Sequence, residues 1–317
     1  MRKSKAKEKN VVFLFLTVKQ NNNNLSIKRR PRMLKRILSM TLTAVFILPV
    51  AAQVMAQEDE SAKINQYVDQ FSEIIPKDFE LMAKIQLIKD ADLTYQKSLT
   101  VPVADLLDCK SKEELHLLLG IYIFDTNYAM LFDRRKEVQE AWELGFQKTM
   151  EKLALYGEVG VAMLPAADLK EMLENPTDQN MRSIFVRDIL KQIEAILKRA
   201  RKGPEFLSVV VDEFYGAIIE GLYVVCKLAQ NEDLDKKKVV ALFNGLQESL
   251  GGFDKMEAIF AGDKRFEDMF RKAERDEVLN PIHTLLTTKE GKLKVEDLKE
   301  ILSIIEPIRN RVVRKCN

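Results

Sequence analysis

At 317 residues, with 46% hydrophobic and 31% charged side chains, the chain is long enough for one large domain or two ordinary ones. That balance excludes disorder over most of its length, and 12 Gly with 9 Pro favour long helices over many tight turns. The formal charge of +2 is unevenly spread: residues 1–56 hold twelve Lys/Arg and one acid, Glu8, which leaves 38 basic and 47 acidic residues beyond. An acidic body has no electrostatic footprint for nucleic acid, so that class of partner is set aside.

The N-terminus reads as a leader. From Met33, Lys35 and Arg36 supply a positive start, Ile37–Val50 an apolar run, and Val54 with Ala56 the small residues of a cleavage site. Fourteen residues reach about 21 Å as a helix, short of the roughly 30 Å of a bilayer core. A cleaved signal peptide is therefore expected, with translation starting at Met33, cleavage after Ala56 and no transmembrane span left. Residues 57–317 are the expected mature domain, periplasmic or secreted.

Helical periodicity then runs the length of the chain. Ser61–Ile75 places Ile64, Tyr67, Val68, Phe71 and Ile75 on one face, Pro76 ends it, and Asp78 caps a second helix. Thr100–Val103 is extended around Pro102. Ser111 with Glu114 forms a capping box at the start of LHLLLGIYIFDTNYAMLF, Leu115–Phe132, which is apolar on every face and therefore predicts a buried central helix. Asp133 breaks it, and an amphipathic helix follows over Arg134–Tyr156. Pro165 starts a short helix, and another runs from Thr177 or Asp178 to Gly203. Its basic end, Lys198, Arg199, Arg201 and Lys202, reads as helix capping.

Pro204 opens a second strongly apolar helix, EFLSVVVDEFYGAIIEGLYVVCKLA. Asp233–Lys238 is linker, and Val239–Leu250 is helical up to Gly251-Gly252. Shorter helices are expected at 253–261 and 264–279, with a break at Asn280-Pro281. A final helix spans Val295–Arg314, bent at Pro307, and its Arg309, Arg311, Arg314 and Lys315 read as a solvated end. No strand alternation is convincing. The expected fold is all-α, a single-domain bundle of roughly nine or ten helices.

Gly120, Gly216, Ala217 and Gly221 permit close helix approach, so the two apolar helices are expected to pack together at the centre. The segments Gly120-x-Tyr122-x-x-Asp125-x-x-Tyr128-Ala129 and Glu220-Gly221-Leu222-Tyr223 resemble a family of exported bacterial all-helical proteins that carries these two motifs. The resemblance covers about residues 115–230 and implies a helical, exported protein, with no chemistry attached.

Asp125 and Glu220 are the sharpest polar features, because a carboxylate on an apolar helix is costly unless hydrogen-bonded or neutral. One reading is a general acid/base pair or metal ligands in a hydrolase. The heavier one is a buried polar network satisfied by Tyr122, Tyr128, Tyr223 or a helix end. These five residues form the candidate binding site. Glu113-x-x-His116 has di-iron spacing but lacks its second copy, so His116 reads as a surface or packing residue, and no cofactor is expected. No nucleophile motif or phosphate loop is present. Phe and Met at 256–270 read as core. Of three cysteines, Cys226 reads as a buried small hydrophobe, and a Cys109–Cys316 bridge is left open. The function expected is binding of an envelope partner or a small apolar ligand.

Overall fold

The computed structural model describes residues 61–74, 93–102, 106–155, 178–201, 203, 205–231, 247, 250–289 and 294–316. All lie within Gln57–Asn317, which forms one unit. The expectations for the leader, for the helices from Asp78 and Pro165, and for the Asp233–Lys238 linker fall outside the described residues. Helix is the only extended regular structure among those described, so the chain is all-α. None of these helices is long and apolar enough to cross a membrane.

The helices are α1 (61–74), α2 (Lys112–Leu131), α3 (Arg135–Gln139), α4 (Lys148–Leu155), α5 (Asp178–Ala200), α6 (Glu205–Asn231), α7 (250–258), α8 (Lys264–Met269), α9 (Lys272–Thr288) and α10 (Val295–Val313). Ser111 caps α2 as expected, its hydroxyl accepting from the Glu114 amide while the Glu114 carboxylate accepts from the Ser111 amide. Asp133 ends α2 in a left-handed conformation, φ 54°, which Asp tolerates better than most residues.

Both faces of α2 are buried, from Leu115 to Leu131 with Asn127 the exception. Its main partner is α6, as the glycine pattern predicts. A Cβ on Gly120 would collide with the backbone carbonyl of Glu213, and one on Gly216 with that of Leu117. Only glycine lets the two backbones approach so closely. Around this pair pack α5, α10 and the aromatic cluster of Phe260, Phe266 and Phe270, all buried. Phe71 of α1 stacks on Phe260 and Tyr67 meets Phe266 edge-on, so the core reading of the 256–270 aromatics holds.

The helix expected over Arg134–Tyr156 is continuous from Arg135 but widens into a π-helical segment over Glu140–Gln147, joining α3 to α4. Trp142 and Phe146 stack there at 4.6 Å, both buried. Gly145 lies against the Tyr122 ring, where a side chain would not fit. Such bulges are rare and frequent at functional sites.

Three boundaries differ from expectation. Helix α7 runs through Gly251-Gly252, since the roughly 1 kcal/mol cost of a helical glycine is smaller than the gain from burying Phe253 and Met256. The helix expected over 264–279 is divided at Arg271, φ 52°, where Arg271 and Arg275 turn toward Asp212. Pro281 does not break the chain: it sits inside α9, which buries Leu279 and Ile282 on either side of it. Tertiary burial outweighs the backbone bond that proline removes.

Candidate functional site

Two described stretches of mostly non-helical chain, 93–102 and 106–110, together called the strap, lie against α2 on the side of the π segment. Between strap and π segment lies a cleft of about 830 Å³. Tyr95, Val101 and Leu106 line it from the strap, Glu140, Ala141 and Leu144 from the π segment, and Asp125 from below. Leu144 is 50% exposed, the one large hydrophobic side chain among the described residues left so open to solvent.

The strap is clasped to the core by the acids that the apolar helices carry. Asp125 Oδ2 accepts the Val101 amide at 2.8 Å. From α10, Arg309 donates through Nε to Glu220 Oε2 at 2.6 Å and through Nη2 to Glu220 Oε1 at 2.7 Å. The same Nη2 donates to the Leu99 carbonyl at 2.8 Å. Asp125 and Glu220 lie within electrostatic range of each other. Burial first, and the Glu220 charge second, raise the Asp125 carboxyl well above its ordinary value, so Asp125 is the member of the pair that keeps a proton. Burial raises Glu220 as well, against the pull of the Arg309 guanidinium that grips it in ionised form. The cluster is thus one neutral acid, one carboxylate and one guanidinium, with no net charge.

Of the five residues expected at this site, the structure gathers four. Tyr223 lies beneath Arg309, whose guanidinium carbon is 3.8 Å from the ring centroid, a cation–π contact. Tyr122 is fully buried in the field of both carboxylates, yet its hydroxyl makes no hydrogen bond. Tyr128 is the exception. Its hydroxyl accepts the Gln96 amide at 3.0 Å and faces the Thr94 carbonyl, so it fixes the start of the strap and does not satisfy Asp125. The partners expected for the acids were tyrosines or a helix end; the actual ones are a strap amide and Arg309.

Arg309 overturns its own expectation. It is buried, not part of a solvated end. The signal was present: Ile301, Ile305, Arg309 and Val312 follow helical spacing along the buried stripe of α10. Arg201 likewise does more than cap its helix, bonding Asn65 and Asp69 of α1.

A second buried polar cluster was missed. His116, expected as a surface or packing residue, is buried with Nδ1 3.3 Å from Asp212 Oδ2. Arg271 and Arg275 reach the other Asp212 oxygen, and Arg275 Nε donates to Glu257 at 2.8 Å. Beside Asp212, burial alone pushes the Glu213 carboxyl up to about 8. The two acids in Val211-Asp212-Glu213-Phe214, both buried on an apolar helix, carry the same signal that singled out Glu220. Among the described residues no three His, Cys, Asp or Glu side chains are placed to hold a metal ion.

Cys109 and Cys316 are joined by a disulfide, tying the end of the strap to the C-terminus. Lys110 reinforces that tie by donating to the carbonyls of Arg311 and Arg314. Cys226 is free and buried, as its apolar surroundings predict.

No protein-family model, no curated protein and no solved structure matches the chain.

Proposed function

We propose that the protein is an exported binding protein that holds a small, largely apolar ligand in the cleft between the strap and the π segment. The observation that carries this reading is the cleft itself. It has the size of a small-molecule site, an apolar strip of Val101, Leu106, Ala141 and Leu144 flanked by polar and charged side chains, a bulged helix for one wall and Leu144 half exposed at its edge. The leader expected before Ala56 and the Cys109–Cys316 bridge both favour export, because disulfides persist in oxidising compartments.

The hydrolase reading needs two carboxylates reachable from the cleft. Asp125 lines it, but Glu220 does not, and both Glu220 oxygens are occupied by Arg309. A base whose lone pairs are committed to a guanidinium has little left for a substrate proton, so the geometry favours binding over catalysis.

The test is titration with the uncharged apolar dye N-phenylnaphthylamine, using protein expressed with its own leader. Saturable fluorescence enhancement is expected, abolished by Leu144→Arg while the melting temperature stays put. A dye that binds the variant as well as the parent would place the ligand elsewhere, and no binding to the parent would end the proposal.

A further inference from the structure

We propose that the Cys109–Cys316 bridge is a redox latch on the 106–108 wall of the cleft, opened on the folded protein by exchange with a dithiol oxidoreductase. This rests on the binding reading of the cleft and adds a means of controlling it.

The two stretches of the strap are held in different ways. Residues 93–102 are clasped from the core: the Tyr128 hydroxyl accepts the Gln96 amide, Arg309 donates to the Leu99 carbonyl, and Asp125 accepts the Val101 amide. Residues 106–110 are tied instead to the chain just past α10. The bridge makes one tie, and Lys110, donating to the Arg311 and Arg314 carbonyls at 3.3 and 2.7 Å, makes the other. Burial fades along this stretch, from Leu106 with no exposed surface to Asp108 and Cys109, both exposed. Leu106, Leu107 and Asp108 line the cleft and immediately precede Cys109. The covalent tie therefore fixes where that wall stands.

The bridge is also placed for exchange. Cys109 is exposed and Cys316 half-buried, and exposed disulfides are the labile ones. Attack falls on the sulfur of the exposed residue. Its leaving group is Cys316 Sγ, to which the Cys109 amide already donates at 3.0 Å, and such a bond favours the thiolate. One thiolate of the dithiol bonds to Cys109 Sγ, the Cys109–Cys316 bond breaks, and its electron pair leaves on Cys316. The second thiol then displaces Cys109 and closes a disulfide on the oxidoreductase. Two electrons and two protons have crossed, and this chain holds two thiols. In place of a covalent tie the wall keeps a weak S–H donor, Cys316, 3.4 Å from the Leu106 carbonyl. Cys226 is buried and takes no part, so the latch has two states.

The experiment uses protein expressed with its own leader and dithiothreitol as the dithiol. Native protein is reduced, blocked with N-ethylmaleimide and weighed by mass spectrometry, and N-phenylnaphthylamine is titrated before and after. Cys226 serves as the internal reporter of unfolding. Labels are expected on Cys109 and Cys316 and not on Cys226. Dye affinity should fall about five- to ten-fold, the cost of ordering a loosened wall on binding. The double variant Cys109→Ser with Cys316→Ser should bind as weakly as the reduced parent, with or without dithiothreitol; circular dichroism checks its fold, and labelling of the parent does not depend on it. A label on Cys226 as well would mean that the bridge opens only through unfolding, and no label at all that it is out of reach. Either result overturns the latch, and so does reduction that leaves dye affinity unchanged. Failure of the dye to bind the bridged parent is the separate outcome that removes the binding reading itself.

Discussion

Arg309 and Glu220 meet through two N–H···O bonds of 2.6 and 2.7 Å, the carboxylate wholly out of water and the arginine nearly so. They lie 89 positions apart in the chain, and the pair joins α10, α6 and the strap at one point. Removing one member strands a charge in the core, so Arg309→Met should cost about 3–5 kcal/mol of unfolding free energy. The double replacement Glu220→Leu with Arg309→Met should recover most of that loss, because no unpaired charge remains. Urea denaturation of the single and double variants measures both, and a mild single variant would mean that water reaches the pair.

The close approach of α2 and α6 is the next test. Alanine normally stabilises a helix relative to glycine by about 1 kcal/mol. At Gly120 or Gly216 the added methyl meets backbone, which cannot rotate away. Gly120→Ala should therefore destabilise by about 2 kcal/mol or more, in the range of core overpacking. A chemical denaturation curve shifted upward instead would show that the helices stand further apart.

Stability should also depend on pH through Glu213. Its folded-state value is raised from 4.5 to about 8 by burial. The folded protein thus keeps a proton that the unfolded chain releases, and this contribution is fully present below pH 4.5 or so. It is lost as pH rises and is gone once pH passes about 8. Asp125, also raised, acts in the same direction. Glu213→Gln should flatten the slope between those limits, since glutamine is neutral throughout. Melting temperatures across that range decide it; parallel curves for parent and variant would refute the assignment.

The Cys109–Cys316 bridge spans 207 positions. Cross-links over long loops restrict the unfolded chain most, and their loss costs about 2–5 kcal/mol. Replacing both cysteines with serine, or reducing the bridge, should lower the denaturation midpoint by that order. Cys226, buried with its thiol pushed far up by desolvation, should stay unlabelled by alkylating reagents in the native state and react only on unfolding. Rapid native labelling would contradict its place in the core.

Several features followed from local pattern alone. The all-α class, the buried Leu115–Phe132 helix, its Ser111–Glu114 cap and the glycine contact with the second apolar helix all rest on residues close together in the chain or on one helix face. Periodicity reports which face is apolar, and that is enough to find a core. The cleft, the partners of Asp125 and Glu220, and the continuation of α9 through Pro281 were decided only in three dimensions. A charge on a hydrophobic stripe signals that a partner exists. Which partner it finds depends on how elements distant in sequence come to lie side by side, and burial energies summed over the whole core override the local preferences of Pro281, Gly251 and Gly252.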